Sequence, residues 1–449
     1  MAIEEYLNTL TEQIRCKQAR EAVREEVEGH IQDQIEECLQ EGMTKEEAEV
    51  YAVKQMGDPV EAGVSLDRVH RPKVVWSMLA LIGVLSILGT GVQYLISINS
   101  ENTIGFNLSS HLVYTLAGFL VMALMYYLDY SFFGSYGKVM AIIFLGYMFL
   151  QVFFMGLEVN GARIFSGLLG GVTLSLRMLM LLYVPIYGGV LYSYRDGSYK
   201  EVIKAMIFLL IPLWITKNMP CLSLTLALFL TMMIMLSVAV LKGWFAVKGK
   251  ALVVTAWSAI IVCPVLVLFF GIKFRWFADY QIARLESLIG GGDPKGSSYV
   301  HYRVREIIGS SRLWGKSEDL QDTSFMLPEM GSNFILTHLI SYYGILVAVI
   351  IGALLLILVS KILKISFRQK NQLGMMIGLG CGSIFGIQII SYLLENLGLM
   401  HYTFVYLPLF STGGTGIIVT YALLGIVLSI YKYQDIPLKV KRRNITIRI

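Results

Sequence analysis

Ten apolar runs, each of about 20 residues, follow one another from Val74 to Tyr431, and runs of that length can cross a ~30 Å hydrocarbon core as helices. They lie near 74–97, 110–133, 138–157, 173–193, 202–217, 220–241, 251–272, 334–360, 373–397 and 407–431. The predicted fold is therefore all-α: a polytopic membrane protein with ten transmembrane helices. Composition agrees, because 55% hydrophobic and only 15% charged residues exclude an ordinary soluble protein of 449 residues. Polar sequence before Val74 predicts that no cleavable signal peptide precedes the first span.

Charge orients the spans. Lys138, Arg195, Lys200, Lys242, Lys248, Lys250, Lys361, Lys364, Arg368 and Lys370 fall in alternate loops or at their edges, and 98–109 has no Lys or Arg. Lys and Arg favour the cytoplasmic side, so both termini are predicted to be cytoplasmic. The loop 273–333 then falls outside. It carries eight Lys/Arg, but at about 60 residues it is at the length where that rule loses force. Residues 1–70 hold 17 acids against 7 bases, a net of −10, while the remainder carries +15. That break near Arg71 marks a domain boundary, and the predicted organisation is 1–70 acidic head, 71–435 membrane domain and 436–449 basic tail.

The head reads as three small amphipathic helices. Ile3, Tyr6, Leu7, Leu10 and Ile14 form one stripe, and Val23, Val27, Ile31, Ile35 and Cys38 another. Thr44-Lys45-Glu46-Glu47 is a capping box that opens a third helix, expected to end at Gly57-Asp58-Pro59. The run from Glu26 to Asp33, the turn from Gly42 to Ala48 and Met56-Gly57-Asp58-Pro59 resemble the permease-prefix (HAAS-like) domain, which implies a cytoplasmic docking or regulatory module. A helical hairpin that merely solubilises the terminus fits the same residues.

Between 160 and 414 a series of short motifs recurs in order: Asn160-Gly161-Ala162-Arg163, Tyr280-Gln281-x-x-Arg284, Asp293-Pro294-x-Gly296-x-x-Tyr299, Ile308-Gly309-Ser310, Leu313-x-Gly315-Lys316, Leu327-Pro328-Glu329, Asn396-x-Gly398 and Leu407-Pro408-x-x-Ser411-x-Gly413-Gly414. On ten spans with one large loop after the seventh, this series resembles the SEDS family (FtsW/RodA/SpoVE type). The resemblance implies a role in peptidoglycan assembly for cell division, shape or sporulation: binding of lipid II, polymerisation of glycan strands, and partnership with a class B penicillin-binding protein that cross-links them. It also places substrate-binding groups at Arg163, Tyr280, Gln281, Arg284, Lys316, Ser411, Gly413 and Gly414. Glycosyl transfer of this kind asks for a base on the acceptor hydroxyl, cations near the diphosphate and a groove for polyprenyl chains.

Several positions depart from the family pattern. The active enzymes that this chain resembles carry an Asp where Gly331-Ser332-Asn333-Phe334 places Asn333, and an amide cannot accept the proton. The family's Pro-Ser-Glu-x-x-Lys is here Leu174-Ser175-Leu176-Arg177-Met178-Leu179, and its Pro-Asp-Leu-Gly is Pro220-Cys221-Leu222-Ser223. Glu329, four residues before Asn333, is a candidate substitute base, or else a carboxylate favoured at a helix entry. Asp293 suits a turn. Arg163, Arg284, Lys316, Arg303 and Arg305 suit an anionic headgroup or a solvated loop. Gly413-Gly414 suits close helix approach or an unwound turn.

Five scattered cysteines and six scattered histidines predict no disulfide, metal or cofactor. Basic residues that line span ends rather than one soluble face argue against nucleic acid. Three readings are compatible with these residues: a lipid II-binding wall-assembly protein that polymerises glycan, a catalytically inactive homologue that acts as scaffold or regulator, and a transporter of a lipid-linked precursor.

Overall fold

The computed structural model describes residues 3–99, 108–155, 157–159, 162–166, 173–219, 221–274, 276, 282, 299–317, 327, 332–400, 406–434 and 436. The head has four helices, not three: α1 (Ile3–Glu12), α2 (Lys17–Gln40), α3 (Lys45–Gln55) and α4 (Pro59–Val69). Tyr6, Leu7, Leu10 and Ile14 pack with Val23, Val27 and Ile31 as the apolar stripes require. The capping box forms: Thr44 Oγ1 accepts the Glu47 amide and Glu47 Oε2 accepts the Thr44 amide at 3.1 Å. Gly57-Asp58-Pro59, expected as a terminus, also starts a helix. Gly57 turns the chain at φ 77°, Asp58 Oδ1 accepts the Val60 amide at 2.7 Å, and Pro59, with no amide to satisfy, occupies the first turn of α4.

Nine helices among the described residues are long and apolar enough to cross a membrane. They comprise α5 (Trp76–Asn99), α6 (Leu108–Tyr127), α7 (Ser131–Leu150, running on through a π turn), the run Leu176–Ser193, α11 (Leu222–Leu241), α12 (Gly249–Lys273), α15 (Ile345–Phe367), α16 (Gln372–Asn396) and α17 (Gly414–Lys432). The run Leu176–Ser193 joins α8 (Leu176–Leu179), a 3-10 turn and α9 (Tyr183–Ser193). The remaining expected span, 202–217, is α10 (Tyr199–Lys217), whose ends carry Lys200, Glu201, Lys204 and Lys217. A small antiparallel sheet precedes α8: β1 (Leu157–Val159), β2 (Ala162–Ser166) and β3 (Thr173–Ser175).

Glycines set the closest approaches. An added Cβ at Gly137 of α7 would stand 2.5 Å from the Gly189 carbonyl carbon of α9, so the two backbones touch. Much of α16 is enclosed: α15 runs along it, while α9 and α11 also pack against it. By contrast, near the start of α12 Trp257 donates to Ser237 Oγ of α11 at 2.9 Å, while every residue from Ile261 to Phe270 is exposed among the described residues.

Two expected spans are cut shorter than the apolar runs that suggested them. The run 334–360 breaks at Gly344, φ 96°, into α14 (Ile335–Tyr343) and α15, because the segment after α13 (Tyr299–Gly309) threads beside the break. Gly315 and Ser317 donate to Tyr343 and Ser341 carbonyls at 3.1 and 3.0 Å, and Ile345 and Leu346 donate to Arg312 and Leu313. A Cβ at Gly344 would meet the Leu313 oxygen at 2.6 Å. The run 407–431 becomes helical only at Gly414, since Leu409 and Gly413 take positive φ in the preceding turn.

Candidate functional site

The start of α14, the end of α16 and the turn before α17 meet at the end of the bundle opposite the head. Asn333 is buried there, 5% exposed, and its backbone oxygen accepts Asn396 Nδ2 at 2.9 Å. Asn396 completes a two-way clasp: its Oδ1 accepts the Thr337 amide and hydroxyl, and its backbone oxygen accepts the same hydroxyl, all at 3.1 Å. One turn earlier, Tyr392 accepts the Ile335 amide at 3.0 Å and donates to the Ser332 oxygen at 3.1 Å. Ser411 donates to that same oxygen at 2.6 Å and accepts the Leu407 amide. Ser332, Asn333, Ile335 and Thr337 are thus pinned from two sides, with the Ile335 and Thr337 amides of the helix start satisfied by side chains.

Neighbouring elements close around this knot. Gln93 of α5 donates to the Phe410 oxygen at 2.6 Å, and the Ser175 amide reaches Thr415 Oγ1 at 3.0 Å, which sets Leu176, fully buried, near the start of α17. Gly414 and Gly416 press on the Tyr114 and Tyr406 rings, where a Cβ would lie 2.5 Å from ring atoms. From α13, Arg305 Nε donates to the Gly398 oxygen at 2.8 Å, and Val304 and Ile307 pack with Leu327 and Phe334.

The candidates chosen from sequence are distributed unevenly over this geometry. Asn333 and Ser411 meet within it; Gly413 and Gly414 form its edge. Ser411 serves the clasp with its whole hydroxyl. Lys316 stands apart, its ammonium 5.5 Å from the Tyr342 ring centre, beside His338. Arg163 lies in β2 opposite Glu158, Arg303 pairs with Glu306, and Cys221 precedes α11 with its sulfur 3.4 Å from Ser223 Oγ. Glu329, Tyr280, Gln281, Arg284 and Asp293 lie outside the described residues. Among the described residues no group of three or more His, Cys, Asp or Glu could hold a metal ion.

Sequence reasoning missed Thr337, Tyr392 and Glu395. Tyr392 lies four residues before Asn396, on the same helix face. Glu395 had a plainer signal: it is the one charged residue in α16, and it is buried, 2% exposed.

Comparison with known proteins shows the family and the fold. A family model described as cell cycle protein, FTSW_RODA_SPOVE, matches residues 70–436. Peptidoglycan glycosyltransferase MrdB of Escherichia coli K12 is 32% identical over 185 residues, 40% of this chain and 50% of MrdB, so the chain spans half the length of that relative. A probable peptidoglycan glycosyltransferase FtsW of Nitrosococcus halophilus is 26% identical over 330 residues, 70% of this chain and 80% of the relative. Among solved structures, one chain of a peptidoglycan synthase complex has a TM-score of 0.63 at 18% identity and is covered to 99%, with 80% of this chain matched. Thermus thermophilus RodA gives 0.55 at 17% identity, with 80% and 97% covered. These two establish a shared fold, and with the family match they make this a multi-pass membrane protein of cell-wall assembly: the chain belongs to the FtsW/RodA/SpoVE cell cycle protein family.

Proposed function

We propose that this protein binds lipid II at the pinned end of the bundle and polymerises its disaccharide into glycan strands beside a class B penicillin-binding protein. The observation that carries the reading is the clasp of Asn396, Tyr392 and Ser411 on residues 332–337, which holds the entry to α14 rigid where transfer would occur. Preorganisation of that kind is what lets a site stabilise a transition state without rearranging. The exposed apolar length of α12 supports a lateral path for polyprenyl chains. Both termini are assigned to the cytoplasm from the loop charges, and the acidic head is assigned, by its permease-prefix-like motifs, to docking a cytoplasmic regulator.

A specific observation favours a second reading, a non-catalytic scaffold. Asn333, Leu176 and Cys221 stand where the resemblance expects carboxylates, and the last two are buried without a replacement charge of their own. The deciding measurement is polymerisation of labelled lipid II by the purified protein, with and without its transpeptidase. Polymer formation supports the first reading; lipid II binding without polymer supports the second.

A further inference from the structure

The geometry points to Glu395 as the general base of this site, standing in for the carboxylate that Asn333 lacks. The inference rests on the polymerase reading above. Three observations carry it. Glu395 is 2% exposed at the end of a helix with no other charged residue, and ionisable groups in such spans face protein interiors and mark functional paths. Its two clasp neighbours, Tyr392 and Asn396, make the bonds that hold Ser332, Asn333, Ile335 and Thr337. Glu395 follows Tyr392 by three residues, a spacing that puts both on one helix face, and the Tyr392 hydroxyl is bonded on either side of Asn333 to Ser332 and Ile335. Glu395 therefore lies beside the knot, on the helix end that clasps Asn333.

Arg305 places a cation at the same helix end, where its Nε bonds the Gly398 oxygen. In the step assigned to Glu395, the acceptor sugar's hydroxyl oxygen bonds to C1 of the donor sugar and its proton passes to the carboxylate. The C1–oxygen bond to the diphosphate breaks, and the electron pair leaves on the polyprenyl diphosphate. One carboxylate in this enclosed knot suffices; two would repel. Asn at 333 is the residue that fits beside Glu395 on this account.

The test is a charge exchange in the full-length protein, read as initial rate on labelled lipid II, with thermal unfolding as a check on folding. Glu395→Gln is expected to lose ~10²-fold or more. Asn333→Asp with Glu395→Gln together is expected to recover most of that loss, which a merely structural Glu395 would not allow. Should Glu395→Gln not fold, Glu395→Asp keeps the charge but shortens its reach, and is expected to fold and to lose about tenfold or more.

A folded Glu395→Gln at the unmodified rate overturns the proposal, as does a silent double variant or a Glu395→Asp at full rate. An unmodified chain that is silent while Asn333→Asp is active overturns the role of Glu395 and leaves the family chemistry standing. Silence from every variant overturns the polymerase reading and this role with it.

Discussion

Asn396 has more to satisfy than any other side chain in the knot. It donates to the Asn333 and Tyr392 carbonyls and accepts from the Thr337 amide and hydroxyl, with 1% of its surface exposed. Replacing it with leucine of similar size leaves an amide and a carbonyl buried and unmatched, and each such group costs about 1–3 kcal/mol. Asn396→Leu is therefore expected to lower stability by about 3 kcal/mol, measured by thermal unfolding in detergent. An unchanged midpoint would mean that water replaces the amide there. Asn333 itself is held through its backbone, so Asn333→Asp leaves that bond intact and changes mainly the charge.

Between elements, close approach rather than apolar matching decides which helices pair, because lipid tails are as apolar as leucine. Gly189 of α9 faces the Phe133 carbonyl of α7 with no room for a Cβ, whereas Gly146 of α7 has nothing within 4 Å. Gly189→Ala should push the two helices apart and lower the unfolding midpoint. Gly146→Ala should be neutral or raise it slightly, since alanine favours helix by up to about 1 kcal/mol. Equal effects from the two changes would show that the α7–α9 contact is loose.

Over the whole molecule, Asp67 ties the turn after α1 to the segment that leads into α5. Asp67, 3% exposed, accepts the Arg15 amide and the Arg71 guanidinium, both at 2.9 Å. Two residues on, the Lys73 amide donates to the Lys432 oxygen, and the Lys432 ammonium sits 4.7, 5.0 and 4.9 Å from the Tyr126, Tyr127 and Tyr433 ring centres. Burial works to raise the Asp67 carboxyl, but the Arg15 amide and the Arg71 and Arg15 charges outweigh it and hold it below the usual range. A depressed carboxyl stabilises the fold fully above its ordinary value near ~3.9, and that contribution disappears as pH falls through the lower folded value. Acidification below about 4 should therefore loosen the head, read as a widened distance distribution between spin labels on α4 and α17. Asp67→Asn should show the loosened state at neutral pH, and indifference of both to pH would count against this joint.

Much of this architecture was legible in the chain. Apolar run length announced the spans, because hydrocarbon offers backbone no partners and only a helix satisfies its own. The Thr44–Glu47 box announced α3 for the same local reason. The breaks were not legible: Gly344 sits inside a continuous apolar run, and its turn exists because residues 312–317 arrive from elsewhere to bond both sides of it. The site divides the same way. Asn333, Ser411 and Gly413-Gly414 could be singled out from ordered motifs, yet Ser411 proves to be part of a clasp and Lys316 stands apart beside Tyr342. The sequence by itself determined a helical membrane protein with an acidic head and an amide where a carboxylate was expected. Only the tertiary structure brought the helix end that carries Glu395 to that amide, because the two residues are 62 apart in the chain and their elements meet through the packing of α14 on α16.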